Sequence, residues 1–443
     1  MIYNDCNVDI ILRCKMKKVV FLIIYILFLI LGMQVYAKDT IYSLNKYSEE
    51  EYQYILKSYK EDTLDGFVVA GTYNHKKNTQ IVLVKYNKDG SISWEYDYEK
   101  DSQEELNGLS YLYDEENDIN GYLLVVKNTE DIVFVKVDLN GKLIEEVSLN
   151  LGNNIEINDL KPIKNDEEIT GYILVGKKAD SAFMTQYDKN LNQVWIREYV
   201  KDNTSQELKE VIYISNVGYY GLVSIDENKT YQLLKYDLNG NILKIVKDDF
   251  EENDIPHLKG EKNTYIIYGI TQEVKLPNNE MGSYYVMKFD TEEKEIWETV
   301  GDSPVDSSNT IQLQTNTLED ETKEYLILLT NRSDNSIEVV RLGSDGIIQD
   351  KVKKIKNDYY RINEFISSGN TMYFVGQINC PEDDNCDYDA KSLFLVSDED
   401  KVIEVQDKDS KTILIITGII LLGTVIGYGL RKRKKLIETK KKH

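Results

Sequence analysis

The stretch "NGYLLVVKNTEDIVFVKVDLNGK" (120–142) decides the fold, because it joins two apolar runs to a tight turn. The runs 120–128 and 131–138 are rich in Val, Leu, Ile and aromatic residues, which favour β-strands. The tetrapeptide "DLNG" that ends at Gly141 is typical of a hairpin turn, in which glycine adopts a positive φ without steric cost. The stretch therefore predicts two antiparallel strands followed by the start of a third.

This pattern recurs along most of the chain. The first run has seven copies, at 65–73, 120–128, 170–178, 217–225, 263–271, 323–331 and 370–378. The second run of each copy ends at 87, 138, 188, 237, 290, 343 and 398, which gives spacings of 51, 50, 49, 53, 53 and 55 residues. One strand precedes each copy and another follows its turn. Four strands in about fifty residues, repeated seven times, predict an all-β fold, a seven-bladed β-propeller.

Two positions beside the turn are kept in some copies and lost in others. Glycine occupies the turn position in four copies, as Gly90, Gly141, Gly240 and Gly346. Tryptophan stands in the following strand in three copies, as Trp94, Trp195 and Trp297. Because the tryptophans share one repeat position, we expect them to pack one blade against the next and not to form a sugar-stacking platform.

The copies resemble the repeats of bacterial secreted and surface β-propellers, quinoprotein-like ones included. The shared features are an apolar strand, a Lys/Gln–aromatic–Asp sequence, x-Asn/Asp-Gly and x-Ile-x-Trp, and they cover nearly all of 38–407. The resemblance implies architecture alone, because such repeats serve enzymes, scaffolds and adhesins alike. Two segments compete to complete the ring as its last outer strand, namely 40–46 and 401–406.

Two apolar segments flank the repeats and predict the location of the protein. Basic residues precede the uncharged run 19–33, and Val35-Tyr36-Ala37 follows, so residues 1–37 are typical of a secretory signal peptide. Met16 is an alternative start, and an uncleaved anchor is the alternative reading of the segment. Residues 412–430 carry no charge, and as a helix they would span about 28 Å, close to the thickness of a bilayer core.

The charges around these segments predict a single topology. A basic tail (431–443) follows the second segment, which places that end in the cytoplasm. The expected domains are a signal peptide (1–37), an extracellular propeller (38–407), a linker (408–411), a transmembrane helix (412–430) and the tail. We thus expect a single-pass cell-membrane protein with its large domain outside.

The net charge argues against nucleic acid as a partner. The chain carries −23 overall, with +2 in residues 1–37 and +8 in residues 411–443, which leaves −33 on residues 38–410. Neutralising phosphates requires a basic surface, which such a domain lacks. An extracellular protein or a glycan is the expected ligand.

No catalytic motif is present in the sequence, so no catalytic residue is assigned. The two histidines of the repeats, His75 and His257, lie far apart in the sequence, and we expect each in a surface loop. The turn 87–94 departs from the Asp-box of sialidases in its spacing and lacks its serine. The few arginines outside the membrane segment are too scattered for a sialidase site.

One loop, 379–390, is locally distinctive and joins two strands of the last blade. Cys380 and Cys386 are close enough to form a disulfide, as an oxidising exterior allows. Four oxygen-bearing residues alternate with spacers in a pattern similar to the first half of a calcium loop: Asp383, Asn385, Asp387 and Asp389. Tyr388 stands where such a loop needs glycine, so a solvated acidic loop is the favoured reading and Ca²⁺ the alternative. No other cofactor is expected.

Three hypotheses about function follow. The favoured one is a membrane-anchored binding, scaffold or adhesion module at the bacterial cell surface that uses its upper rim, where loops 272–282 and 379–390 extend. The second is a cell-envelope carbohydrate-active enzyme, or another hydrolase or lyase, with carboxylates on the upper face. Such an enzyme should have a deep pocket in which a carboxylate of shifted pKa faces another polar group. The third, a signalling receptor, is disfavoured by the thirteen-residue tail.

Overall fold

Twenty-eight strands, arranged as seven four-stranded antiparallel sheets, make up the computed structural model of the chain. The structure describes residues 40–398 except 43–47, 62, 76, 101, 130, 166–167, 201–203, 228, 252–253, 276–280, 302–304, 306–308, 318–321, 332–335, 357–359, 369–370 and 379–390. Each sheet is a blade, numbered 1 to 7 along the chain, and every blade contacts the next, so the fold is an all-β propeller.

The first strand of each blade faces the central channel. These inner strands are β2 (Ser48–Lys60), β6 (Glu105–Tyr113), β10 (Ile155–Asn165), β14 (Gln206–Ile214), β18 (Ile255–Gly260), β22 (Thr310–Thr317) and β26 (Tyr360–Ser368). The second strands are β3 (Thr63–His75), β7 (Ile119–Lys127), β11 (Glu168–Lys178), β15 (Gly218–Ile225), β19 (Thr264–Lys275), β23 (Lys323–Asn331) and β27 (Thr371–Ile378).

The third and fourth strands complete the blades toward the outside. The third strands are β4 (Asn78–Asn87), β8 (Ile132–Asp138), β12 (Ser181–Asp188), β16 (Thr230–Tyr236), β20 (Met281–Asp290), β24 (Ser336–Leu342) and β28 (Lys391–Asp398). The outer strands are β5 (Ile92–Tyr98), β9 (Leu143–Ser148), β13 (Gln193–Tyr199), β17 (Ile242–Lys247), β21 (Glu295–Val300), β25 (Ile348–Lys356) and β1 (Thr40–Tyr42).

The blades are not all built alike. Six of the sheets consist of four consecutive strands, whereas the seventh is composite. In it β26, β27 and β28 are joined by β1, whose Thr40 pairs with Val396 and whose Tyr42 pairs with Phe394. Of the two candidates for the last outer strand, the N-terminal one therefore pairs with β28, and residues 401–406 lie outside the described part of the chain.

Apolar clusters fill every interface between neighbouring blades. The second and third strands are buried on both faces, as the six consecutive buried residues of β7 illustrate. The interface between blades 7 and 1 is closed in the same way, with Val375 packed among residues of blade 1 and the rings of Phe67 and Tyr373 3.9 Å apart. Burial of apolar surface around the complete ring is the main stabilising contribution.

The hairpin turns have the predicted geometry. Gly90, Gly141, Gly240 and Gly346 have φ values of 80°, 78°, 77° and 80°. The register of the third and fourth strands shifts by one residue beside each turn, as in a bulged three-residue hairpin. Leu191 and Glu293 occupy the same position in blades 3 and 5 with φ of 64° and 63°, although a side chain is strained there.

Each tryptophan packs against the turn glycine of the following blade. The ring of Trp94 lies against Gly141, and its Nε1 donates a hydrogen bond to Leu139 O at 2.9 Å. The ring of Trp195 also packs on its turn glycine, Gly240. Trp297 contacts Gly346, and its Nε1 donates to a main-chain oxygen of the same turn. The three tryptophans thus occupy equivalent places between blades.

At two junctions where the tryptophan is replaced, the turn residue that faces it is replaced as well. Blade 4 has Lys244 at the tryptophan position, and blade 5 has Glu293 at its turn. The two form an ion pair of 2.6 Å, and Glu293 also accepts a hydrogen bond from Lys235 at 2.7 Å. Blade 2 has Glu145 at that position, and the turn of blade 3 has the buried Leu191. A bare glycine is therefore needed where an indole must lie flat on the turn.

Substituting this glycine should destabilise the protein mainly through the tryptophan. In Gly141→Ala the new Cβ would lie 2.6 Å from the ring of Trp94 at a φ of +78°, so we expect a loss of roughly 2–4 kcal/mol from backbone strain and overpacking. The control Gly152→Ala also has positive φ, but its nearest neighbour is 3.9 Å away, so it should lose only about 1 kcal/mol. Chemical unfolding measures both, and equal losses would contradict the packing role.

Candidate site in the central channel

The inner strands enclose a cavity of about 1240 Å³ around the axis of the propeller. Six of the seven blades contribute to its wall, which combines apolar side chains with many polar and charged ones. It includes lysines, carboxylates and tyrosines as well as His257 of β18, which the sequence analysis expected in a surface loop. That expectation was wrong, because His257 lies on an inner strand and forms part of the channel wall.

Polar side chains connect neighbouring inner strands. Asn158 of blade 3 donates a hydrogen bond to Leu208 O of blade 4 at 2.9 Å. Asn363 of blade 7 donates to Tyr52 O of blade 1 at 2.8 Å, which links the ends of the ring. Three further links run in the same direction: Asn107 to Ile157 O, Lys259 to Leu313 O and Gln312 to Asn363 O. These bonds satisfy carbonyl groups at the inner edge of each sheet, which has no neighbouring strand to pair with.

The residue directly after such a linking position is a carboxylate in three blades, and it accepts a hydrogen bond from a main-chain amide of the next blade. Asp159 accepts from Val211 N at 3.2 Å, Glu210 from Leu258 N at 2.6 Å and Glu364 from Ile55 N at 2.8 Å. The ladder of each of these three inner strands skips one residue just before the carboxylate. Such a bulge redirects the side chains that flank it, so both can reach the next blade.

Glu210 and His257 form the closest acid–base pair in the channel. His257 Nδ1 lies 2.5 Å from Glu210 Oε1, and the imidazole stacks on the ring of Tyr268. Burial lowers the pKa of His257, but the adjacent carboxylate outweighs it, so the pKa lies above its usual value of 6.5. Burial raises the pKa of Glu210, but His257 and the Leu258 amide reverse this and the net shift is downward.

Glu364 has the most strongly raised carboxyl pKa among these channel groups. Burial raises it to about 7, although the Ile55 amide and the nearby Lys161 and Lys259 favour the charged form. Lys161 itself pairs with Asp159 at 2.9 Å. Lys259 has a pKa lowered to about 8 by burial and by the charge of Lys161.

The sequence-predicted loop sites cannot be placed. Cys380, Cys386 and the four candidate calcium ligands (Asp383, Asn385, Asp387, Asp389) lie outside the described residues. In the part of the chain that the structure describes, no group of three or more His, Cys, Asp and Glu side chains is arranged to hold a metal ion. The apolar segments 19–33 and 412–430 also lie outside that part, within which no helix is long and apolar enough to cross a membrane.

The linking side chains were missed at the sequence level, although they repeat with the same period as the blades. The bulge positions of blades 2, 3, 4 and 7 hold Asn107, Asn158, Lys209 and Asn363. The first three of these are 51 residues apart. A polar residue that directly follows a Leu or Ile of the inner strand, recurring at the blade period, was the signal that could have identified them.

No protein-family model and no curated protein sequence matches this chain. Solved structures similar to it include Sqt1 from Chaetomium thermophilum (10% identity, TM-score 0.48, 82% of this chain and 100% of that one). A Lactobacillus plantarum protein is similar at 10% identity and TM-score 0.45, over 75% of this chain and 92% of its own. The WD40 domain of SCAP from fission yeast is similar at 10% identity and TM-score 0.36, over 82% and 98%. The propeller assignment rests on the sheet topology.

Replacing Glu364 by Gln should stabilise the protein in a pH-dependent way. The usual pKa is 4.5 and that of the folded state is about 7, so between these values the unfolded chain releases a proton that the folded chain retains. Wild-type stability is therefore lost as the pH rises from about 4.5 to 7, whereas Glu364→Gln keeps the acceptor for the Ile55 amide without the charge. We expect equal stabilities near pH 4 and a gain of up to about 3 kcal/mol for the variant at pH 8.

Chemical unfolding at a series of pH values provides the measurement. Glu115→Gln, in an exposed turn of blade 2, is the control and should follow the wild type throughout. A Glu364→Gln variant that is less stable than the wild type at pH 8 would show that the charged form of Glu364 stabilises the ring.

Proposed function

We propose that the chain is a single-pass cell-surface binding or scaffold module whose propeller faces outward. The observation that carries the proposal is the direction of the two outermost strands of blade 7. Strand β1 is antiparallel to β28, so Thr40 and Asp398 lie toward the same face of the ring. The sequence predicts signal cleavage at residue 37, three residues before Thr40, and the start of the membrane helix at residue 412, fourteen residues after Asp398.

This arrangement gives the propeller a membrane-proximal face and a distal one. All third strands end on the same face of the ring as β28. The turns at Gly90 and Gly141 directly follow third strands, so they would face the membrane. The connections between second and third strands and between blades leave from the opposite face. The connection from β19 to β20, inside the predicted loop 272–282, leaves from this face, and so does the one that follows β27. The surface that we expect to bind an extracellular protein or glycan therefore points away from the cell.

The channel chemistry supports binding over catalysis. A cavity with a carboxylate of raised pKa is the feature expected of an envelope hydrolase or lyase. In this channel Asp159, Glu210 and Glu364 each accept a main-chain amide of the next blade, so one role already accounts for their burial. Structural networks of this kind shift pKa values without catalysis, and a hydrolase is the second candidate.

The topology can be tested on intact cells that produce the chain with a tag after His443. Protease added outside should remove the propeller and leave the tagged tail, because the tail is protected by the membrane. Permeabilised cells are the control, and in them the tag should be lost as well. A propeller that survives on intact cells would contradict the proposal.

Ligand binding is tested separately with the same cells. Cells that display the chain should bind spots of a glycan and protein array that cells without it do not, and the purified full-length chain should compete. If displayed chain binds nothing while purified chain degrades an envelope polysaccharide, the hydrolase alternative is correct.

A further inference from the structure

The channel differs in charge from the rest of the propeller. Residues 38–410 carry −33, yet the cavity wall has more lysines than carboxylates. The lysines are Lys161, Lys164, Lys209, Lys259 and Lys262, and the carboxylates are Asp159, Glu210, Glu261 and Glu364. Low-dielectric walls strengthen the field of such charges, so the channel is the part of this acidic protein that is most suited to an anion.

The carboxylates of the wall are already engaged by protein groups. Asp159, Glu210 and Glu364 each hold an amide of the next blade, as described above. Glu261 is bound by Lys288 at 2.6 Å and accepts from Thr264 at 2.9 Å. These donors therefore partly offset the negative charges of the four carboxylates.

Two lysines of the cavity wall stand at equivalent positions of their inner strands. Lys161 stands two residues after Asp159 on blade 3. Lys259 stands two residues after His257 on blade 5, and His257 holds the position that Asp159, Glu210 and Glu364 hold in their own blades. Lys161 pairs with Asp159 at 2.9 Å, yet half of its side chain is still exposed where it lines the channel. The ammonium group of Lys259 donates only to neutral oxygens among the described residues, namely Leu313 O at 3.0 Å and Gln314 Oε1 at 3.4 Å.

We propose that the central channel binds a small monoanion, through its carboxylate or phosphate group, between Lys161 and Lys259. The anion supplies Lys259 with a charged hydrogen-bond acceptor, whereas its acceptors among the described residues are neutral. The lowered pKa of Lys259 agrees with this, since burial and the Lys161 charge both disfavour its ammonium form.

The size and charge of the ligand follow from the rest of the molecule. A cavity of about 1240 Å³ has room for a compound larger than the anionic group alone, and Tyr54, Tyr213 and Tyr268 offer aromatic surface for its remaining part. A polyanion would be repelled by the acidic exterior in proportion to its charge, whereas a monoanion pays little of this cost. The inference deepens the proposed binding function by naming a ligand class.

Calorimetric titration of the purified full-length chain tests the site with defined probes. D-Glucuronate presents a carboxylate, dimethyl phosphate presents a singly charged phosphate, and D-glucose is the uncharged control. At least one of the two anions should bind, and glucose should not. Lys161→Gln and Lys259→Gln should each weaken binding roughly tenfold, as expected for the loss of one charged hydrogen bond.

Lys209→Gln is the matched control, because Lys209 lines the same cavity and, like Lys161, pairs with a carboxylate (Glu207 at 2.8 Å). Lys209 stands one residue before Glu210, whereas the two proposed lysines stand two residues after the equivalent position of their strands. The control variant should bind the anion within about twofold of the wild type, and thermal melting should show that all three variants are folded. Equal weakening by Lys209→Gln, binding of glucose, or no binding of either anion would overturn the proposal. The array and topology tests do not depend on these lysines, so their failure is separate from failure here.

Discussion

The inner edges of the blades cannot pair with one another, and the arrangement of the channel depends on this constraint. Each sheet ends at the axis with a row of main-chain amides and carbonyls, and the sheets diverge too strongly for a shared ladder. Unpaired polar groups at a buried edge are costly, so side chains must replace the missing strand. Asn158, Asn363 and Gln312 supply donors to the carbonyls, while Asp159, Glu210 and Glu364 supply acceptors for the amides.

This requirement explains why a structural region has the appearance of an active site. Carboxylates that satisfy main-chain amides must be buried, and burial raises the pKa of a group such as Glu364. Lysines lie near these carboxylates in the cavity wall, and the result is a cavity with several titratable groups. A shifted pKa in a cavity identifies a functional site only when a structural reason for the burial is lacking.

The sequence predicted most of the fold and little of the channel, for different physical reasons. Strand order, turn positions and the equivalence of Trp94, Trp195 and Trp297 follow from local patterns, which repeat because each blade meets the same requirements. The channel residues depend on contacts between blades about fifty residues apart, and they vary in type from Asn to Lys to Gln. His257 was misplaced for this reason, since nothing near it in the sequence indicates its partner Glu210. The composite blade could be foreseen only as one of two alternatives, because pairing with β28 is decided across almost the whole chain.

The paired variation of tryptophan and turn residue has a consequence for the history of the ring. Blade 3 contacts blade 2 through Leu191 and blade 4 through Trp195. It therefore fits only after a blade that lacks the tryptophan and before a blade that has a glycine turn. Blade 5 likewise requires the lysine of blade 4 before it and the glycine of blade 6 after it. The modules are therefore no longer interchangeable: duplication of blade 3 would set Trp195 against Leu191, and duplication of blade 5 would set Trp297 against Glu293. Divergence of the repeats has converted a ring of equivalent units into one with a defined order.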